Sequence, residues 1–314
     1  MDQALTLLGI SLDVRSDRGA VRLLQDVSFS LPRRSMTALI GESGSGKTTL
    51  AHSITRLFTH PERMHLTGSV MLGDRAIASL EERELRRIRT SVRTVLQEPA
   101  TAFNPLMKIG AQLADAAGRI LSPDEINGLL LRVGLRSPDR ILDAYPHELS
   151  VGMLQRVSIA AAISTNPSVL IADELTSSLD ATNRRTVMDL LRQLQQDLDL
   201  AVLVVTHDPM VVEEYADRII VLYAGRIIER SSRERFFRRP LHPYSRALLE
   251  ARRNGAVVPS ASADAPVRFD ALPKGCTYRP RCPYATDACA LPEPTLERTD
   301  TDDWIRCVNW KSIT

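Results

Sequence analysis

Gly41-Glu-Ser-Gly-Ser-Gly-Lys-Thr48 is the stretch on which the reading of this 314-residue chain turns. It fits G-x-x-x-x-G-K-S/T, a loop whose glycines let backbone N–H groups curl around phosphate oxygens. It follows a short apolar run, Met36-Thr-Ala-Leu-Ile40, and precedes a stretch of helical character, Thr48 to Phe58. A helix N-terminus there adds a dipole that favours anions. In such loops the lysine, here Lys47, reaches the β and γ phosphates, and the hydroxyl of Thr48 ligates Mg²⁺. The competing reading is an accidental Gly-rich turn, and the bare pattern arises by chance in on the order of one chain in a hundred. The strand before it and the helix after it favour nucleotide binding.

Upstream, Leu5 to Leu31 alternates apolar and polar residues around a turn-like SDRG segment, which predicts an antiparallel hairpin or meander. Downstream, Glu81 to Arg89 reads as a charged helix. Pro99 to Ile163 holds short helical patterns broken by Pro105, Pro123, Pro138 and Pro146. Val169 to Ala172 and Ala201 to Thr206 are compact apolar runs suited to buried parallel strands, with helical spacing from Asn183 to Asp197 between them. Strand, helix and strand in that order predict an α/β core. After Phe237 proline becomes frequent, and 255–265 is small and polar like a linker. The reading is one domain over 1–235 and an extension over 236–314.

Asp173-Glu174 closes the first buried strand and His207 closes the second. In phosphate-loop enzymes an Asp at such a strand end holds Mg²⁺, and an adjacent Glu orients and polarises the attacking water. Solvated acidic strand ends are common, so the phosphate loop upstream is what gives this pair its weight. A histidine in that position can contact the γ phosphate.

Composition bounds the partners. Apolar residues are 44%, charged residues 25%, and the net charge of +2 offers no argument for nucleic acid. Only four of the 40 basic residues are lysine, which makes Lys47 inside a Gly-rich loop harder to dismiss. No apolar run approaches the roughly 20 residues needed to cross a bilayer. The first residues carry no secretory pattern, so the expectation is a peripheral protein on the cytoplasmic face of a membrane.

With these elements in place the chain resembles the ABC ATPase family. Gln97 falls at its Q-loop, Leu149-Ser-Val-Gly-Met-Leu-Gln155 resembles its LSGGQ-type signature, Ser178-Leu-Asp180 its D-loop, and Thr206-His-Asp208 its switch histidine. Gln97-Glu-Pro with Asn104-Pro105, Leu241-His-Pro-Tyr-Ser-Arg-Ala-Leu-Leu249 and Gly275-Cys-Thr-Tyr-Arg-Pro-Arg-Cys-Pro283 resemble segments of the oligopeptide, dipeptide and nickel permease ATPases. The resemblance implies an α/β P-loop NTPase core of ABC type, with an antiparallel β subdomain, an α-helical subdomain and a small Cys-rich C-terminal extension. It implies ATP on Gly41, Ser43, Gly44, Ser45, Gly46, Lys47, Thr48 and Thr49. Mg²⁺ falls to Thr48, Gln97 and Asp173, and catalysis to Glu174, His207 and Gln97. Ser150, Gly152, Met153 and Asp180 would serve a partner's ATP, because paired subunits in that family face each other head to tail. The implied partners are a second ATPase subunit in a heterodimer, two transmembrane permease subunits and an extracytoplasmic solute-binding protein. Permeases would dock near Gln97 to Gly110.

Three departures stand out. Val151 replaces the first signature glycine, which predicts either a weakened partner site or a tolerated substitution. Leu175 replaces the proline after Asp-Glu. Leu12-Asp-Val14 lacks the aromatic that stacks on adenine, leaving aliphatic side chains or a partner to cover the base.

Cys276, Cys282, Cys289 and Cys307 all lie in the last forty or so residues. Disulfides do not suit a reducing compartment. Four thiolates suit a 4Fe–4S cluster or a structural zinc, the absence of a short C-x₂₋₄-C pair favours the cluster, and unligated thiols are the reading behind both. The leading function is an importer ATPase for oligopeptides or dipeptides. The alternatives are nickel or metal-chelator import, and a regulatory nucleotide-binding module that does not transport. A soluble ABC ATPase acting on DNA or ribosomes would carry tandem cores or coiled-coil insertions, and neither is present.

Overall fold

The computed structural model describes residues 2–16, 19–77, 82–177, 179–253 and 267–313. The polar segment 255–265, Glu81 and Ser178 fall outside them. In chain order the strands and helices are β1 Gln3–Ser16, β2 Gly19–Pro32, β3 Ser35–Ile40, α1 Lys47–Thr55, β4 Met64–Leu72, β5 Arg75–Ala76, α2 Glu82–Ile88, β6 Val92–Val95, α3 Ile109–Ala117, α4 Pro123–Arg132, α5 Pro138–Asp143, α6 Val151–Ile163, β7 Val169–Asp173, α7 Ala181–Asp197, β8 Ala201–Val205, α8 Pro209–Tyr215, β9 Arg218–Tyr223, β10 Arg226–Ser232, α9 Arg233–Arg238, α10 Pro243–Arg253, β11 Glu297–Arg298, β12 Trp304–Ile305 and α11 Trp310–Ile313.

Two sheets organise them. One has the order β2-β1-β4-β5 and is antiparallel. The other runs β11-β12-β10-β9-β3-β8-β7-β6, parallel from β9 to β6 and antiparallel from β9 to β11. The hairpin, the strand before the phosphate loop and the two buried strands are therefore where the sequence pattern predicts them.

The parallel strands are apolar throughout because both faces are covered. Val169, Ile171, Ala201, Leu203 and Val205 join a core with α1 and the antiparallel sheet. Their alternate neighbours Leu170, Ala172, Val202 and Val204 join a second core with α6 and α7. A strand buried on both faces reads as an unbroken hydrophobic run, as these do. The helical region packs Ile109, Leu113, Leu130, Ile141 and Leu154 onto that second core. Pro123 and Pro138 start α4 and α5 rather than interrupting helices, since proline's missing N–H is no loss at a first helical position. Ser122 completes a capping box with Glu125 on α4.

A third core ties the C-terminal extension to the sheet. It brings Ala38, Ile40, Val221 and Ile228 together with Phe236, Tyr244 and Tyr278. The last three are essentially fully buried, and each such side chain stabilises the packed state by about 1.5–3 kcal/mol. Tyr223, Tyr244 and Tyr278 meet with ring centroids 4.7–5.4 Å apart in tilted and edge-on pairs. Buried Glu229 on β10 accepts the backbone N–H of Leu241 (3.1 Å) and His242 (2.8 Å), and so fixes the Leu241-His-Pro-Tyr turn.

The turn from β9 to β10 carries Gly225 at φ +72, where an added Cβ would sit 2.1 Å from Leu23 O. Gly225→Ala should therefore destabilise the chain by about 1–3 kcal/mol. Gly128 on α4 has open space around its Cβ position, and Gly128→Ala should stabilise by about 0.5–1 kcal/mol. Urea unfolding of both variants checks the opposite signs.

Candidate functional site

The phosphate loop leaves β3 and enters α1 at Lys47. At its start, a Cβ on Gly41 would lie 2.2 Å from Leu222 O, so only glycine lets the loop press against β9. Ser45 is buried, and its Oγ finds no hydrogen-bond partner among the described residues. Gly225 N–H donates to Ser45 O (2.9 Å), fastening the loop to the β9–β10 turn.

The predicted residues converge. A cavity of about 630 Å³ is lined by Ser43, Gly44, Gly46, Lys47, Thr48, Thr49, Gln97, Glu174 and His207. Two further residues, Leu23 and Phe269, complete its wall. The volume falls within the range of small-molecule sites. Lys47 Nζ donates to Gly41 O (2.9 Å) and Glu42 O (3.0 Å) and stands 4.0 Å from Glu174 Oε1. Burial pushes the Lys47 ammonium below its ordinary pKa, opposed by Glu174 and Asp173. Thr48 Oγ1 donates to Asp173 Oδ1 (3.3 Å), which places these two oxygen-bearing side chains side by side. Burial raises the Asp173 carboxyl, and the Thr48 hydroxyl opposes the rise.

Glu174 follows β7 at φ +51, a left-handed backbone uncommon for a residue with a side chain. Its N–H donates to Val205 O (2.9 Å), and its Oε2 lies 2.7 Å from His207 Nδ1. Gln97 Nε2 donates to Ser177 Oγ (3.1 Å), and Ser177 Oγ donates to Glu174 O (2.8 Å). The ends of β6, β7 and β8 thus bring Gln97, Glu174 and His207 to one rim.

Ser150, Gly152, Met153 and Asp180 do not line this cavity. Ser150 caps α6, its Oγ accepting Met153 N–H at 3.3 Å. Val151 takes the first helical position with no positive φ, so its backbone is relaxed. Val151 is 61% exposed between Ser150 and Gly152. Asp180 caps α7 by accepting Thr182 and Asn183 N–H, both at 3.0 Å. Those bonds, Asn183 first, hold its carboxyl below the ordinary range.

Sequence reasoning missed what supports the loop from behind. Glu42 N–H donates to Tyr244 Oη (2.8 Å), and Arg281 grips the Glu42 carboxylate through two 2.8 Å bonds. That pairing raises the Arg281 guanidinium above its usual pKa, while burial opposes it. The signal was present in the Leu241-His-Pro-Tyr and Arg-Cys-Pro segments, but nothing in a linear pattern says that they meet residue 42.

The four cysteines line one small cavity in the extension, with Tyr278, Arg279 and Asn309. Asn309 Nδ2 donates to Cys289 Sγ (3.4 Å), and Cys276 N–H donates to Cys289 O (2.9 Å). Burial raises the Cys276 and Cys282 thiols and pushes Cys307 up to about 11. Among the described residues, no group of three or more His, Cys, Asp or Glu is set to hold a metal ion.

A phosphate loop backed by Asp173, Glu174 and His207 on a two-sheet α/β frame defines a nucleotide-binding ATPase cassette. The ABC transporter family model matches residues 24–177, and the model described as the oligopeptide/dipeptide transporter C-terminal region matches 228–289. Two proteins of Brucella ovis named as peptide import ATP-binding proteins are 35% and 36% identical, covering 98% and 97% of both chains. A structure of the ATP-binding cassette MJ0796 with ADP and Pi superposes with a TM-score of 0.64 at 26% identity, covering 73% of this chain and 98% of that one. The cbiO1 subunit from Clostridium perfringens gives 0.65 at 24% identity, covering 81% and 98%, a likeness of fold. The chain belongs to the family of ABC transporter ATP-binding proteins, and it is an ATPase subunit.

The Arg281–Glu42 pair is mostly shielded, its side chains 15% and 24% exposed. A double-mutant cycle with Arg281→Met and Glu42→Gln should give a coupling energy of about 1–3 kcal/mol in chemical denaturation. Additive effects would show that the clamp contributes nothing.

Proposed function

We propose that the chain drives peptide import by ATP hydrolysis in a transporter with membrane permeases. The observation that carries this is the convergence of Lys47, Thr48, Gln97, Glu174 and His207 on one cavity, in a chain related along its whole length to proteins named for peptide import. Those names favour peptides over nickel.

Glu174 is the group that orients the attacking water and draws its proton. His207, 2.7 Å away, fixes one carboxylate oxygen. Lys47 supplies positive charge beside the terminal phosphates. Thr48, Asp173 and Gln97 are the side chains that would hold Mg²⁺, which neutralises phosphate charge when bound with ATP. The Thr48–Asp173 pair suits that role. The Ser150 cap, Gly152, Met153 and Asp180 stand apart from this chain's cavity, as residues lent to a second subunit's ATP would. Val151 adds bulk there, so the site it serves is the weaker of two, which favours a heterodimer. An apolar-walled cavity of about 740 Å³, lined by Val95, Leu96, Phe103 and Met107 among others, suits a permease segment next to Gln97. An extracytoplasmic binding protein would deliver the peptide.

The division at about residue 235 is one of task, catalysis before and support after. The four thiols that share the extension's small cavity are the side chains that would hold a 4Fe–4S cluster, and they would have to draw into ligand spacing to do so. Bound metal would deprotonate thiols that burial otherwise keeps neutral.

Glu174→Gln should lower ATP turnover of the assembled transporter by at least about 10² while ATP still binds. Unchanged turnover would remove Glu174 as the base. Anaerobically purified protein should be brown, with broad absorbance near roughly 400 nm from thiolate–iron charge transfer. A colourless protein with one zinc per chain would overturn the cluster.

A further inference from the structure

We infer that Phe269, delivered by the C-terminal extension, stacks on the base of the nucleotide and closes the cavity against Leu23. The inference rests on the ATP-binding reading above and deepens it. One wall of the cavity carries the phosphate-directed groups, Lys47 and Thr48 at the loop with Gln97, Glu174 and His207 beside them. A nucleotide placed with its terminal phosphate there must run its base away from them. Apart from glycines, the lining offers only two apolar side chains among the described residues, Leu23 and Phe269.

The N-terminal strand has nothing to give the base. Leu12 is wholly buried in the antiparallel subdomain, and Asp13 is held by Arg22 through bonds of 2.7 and 2.9 Å. Neither lines the cavity, and Val14 does not either. Phe269 sits in the short turn Phe269–Ala271, which packs against β2, the strand that carries Leu23. Ala271 N–H donates to Arg268 O (3.1 Å), and Arg268 pairs with Asp270 at 2.8 Å. Both flanking side chains are exposed, while Phe269 between them is half-buried. The turn therefore presents an aromatic ring to the cavity and keeps its charges in water. Leu23 is fixed in turn, because its carbonyl lies against Gly225 and close to Gly46. An aromatic ring and an aliphatic side chain on one cavity offer a flat heterocycle apolar surface, and base–aromatic stacking needs no base-edge hydrogen bond.

The test measures dissociation constants of the full-length chain for ATP and for inorganic triphosphate, by calorimetry. Phe269→Ala should weaken ATP about tenfold and leave triphosphate unchanged. Phe269→Leu, which keeps the apolar packing on β2, should also weaken ATP, and Phe269→Trp should restore it. Equal ATP affinity in wild type, Phe269→Ala and Phe269→Leu would overturn the assignment. So would a parallel loss of ATP and triphosphate in both, which would mark a disturbed loop. Lys47→Ala separates the two levels of the argument: wild type that binds no ATP, or binds it as well as Lys47→Ala does, would bring down the ATP reading itself and this inference with it.

Discussion

A phosphate loop that reserves backbone N–H groups for an anion has few left to hold its own shape, so that shape must be enforced from outside. Here the enforcement comes from far along the chain. Leu222 O lies against Gly41, Gly225 N–H holds Ser45 O, Tyr244 Oη takes the Glu42 N–H, and Arg281 clamps the Glu42 side chain. The loop spans residues 41–48, yet its supports lie between 222 and 281. Remove that backing, and the loop's left-handed and extended turns have little to oppose relaxation.

The same constraint explains why aromatic residues cluster as they do. Only 4% of the chain is aromatic, with six tyrosines. Three of them meet directly behind the phosphate loop, and Arg281 lies 5.9 Å from two of their rings. A rigid aromatic layer holds the arginine, and the arginine holds Glu42. Cys282 follows Arg281 in sequence and lines the thiol cavity. Whatever orders the cysteines therefore also orders the residue that grips the loop, which gives the extension a physical reason to sit behind the phosphate loop.

The half of the site around the phosphate loop was legible in the sequence because its residues mark the ends of strongly patterned elements. Lys47 and Thr48 open a helix after an apolar strand, and Asp173, Glu174 and His207 close two unbroken apolar runs. Chain order and sheet order then force them together. The supporting half was not legible. The partnership of Arg281 with Glu42 spans 239 positions and leaves no period or spacing to detect. Phe269 lies in a turn of three residues with no periodicity at all. Val151 was legible as a departure from the signature but not as backbone strain: it is exposed, and its backbone sits comfortably at the first turn of α6.

Texture along the chain changes near residue 236, yet three-dimensional contacts cross that point. Glu229, inside β10, organises the turn at Leu241 and His242, and β12 pairs Ile305 with Glu229 at the edge of the same sheet. The family model for the C-terminal region accordingly begins at 228, within the core sheet. A buried carboxylate whose acceptors are filled by backbone N–H groups from the extension is costly to leave unpaired. The core's last strand and the extension must then fold as one, because neither satisfies Glu229 alone. This coupling makes the extension part of the ATP site's architecture, and it places Tyr244, Phe269 and Arg281 beside a loop that ends more than two hundred residues before the last two of them.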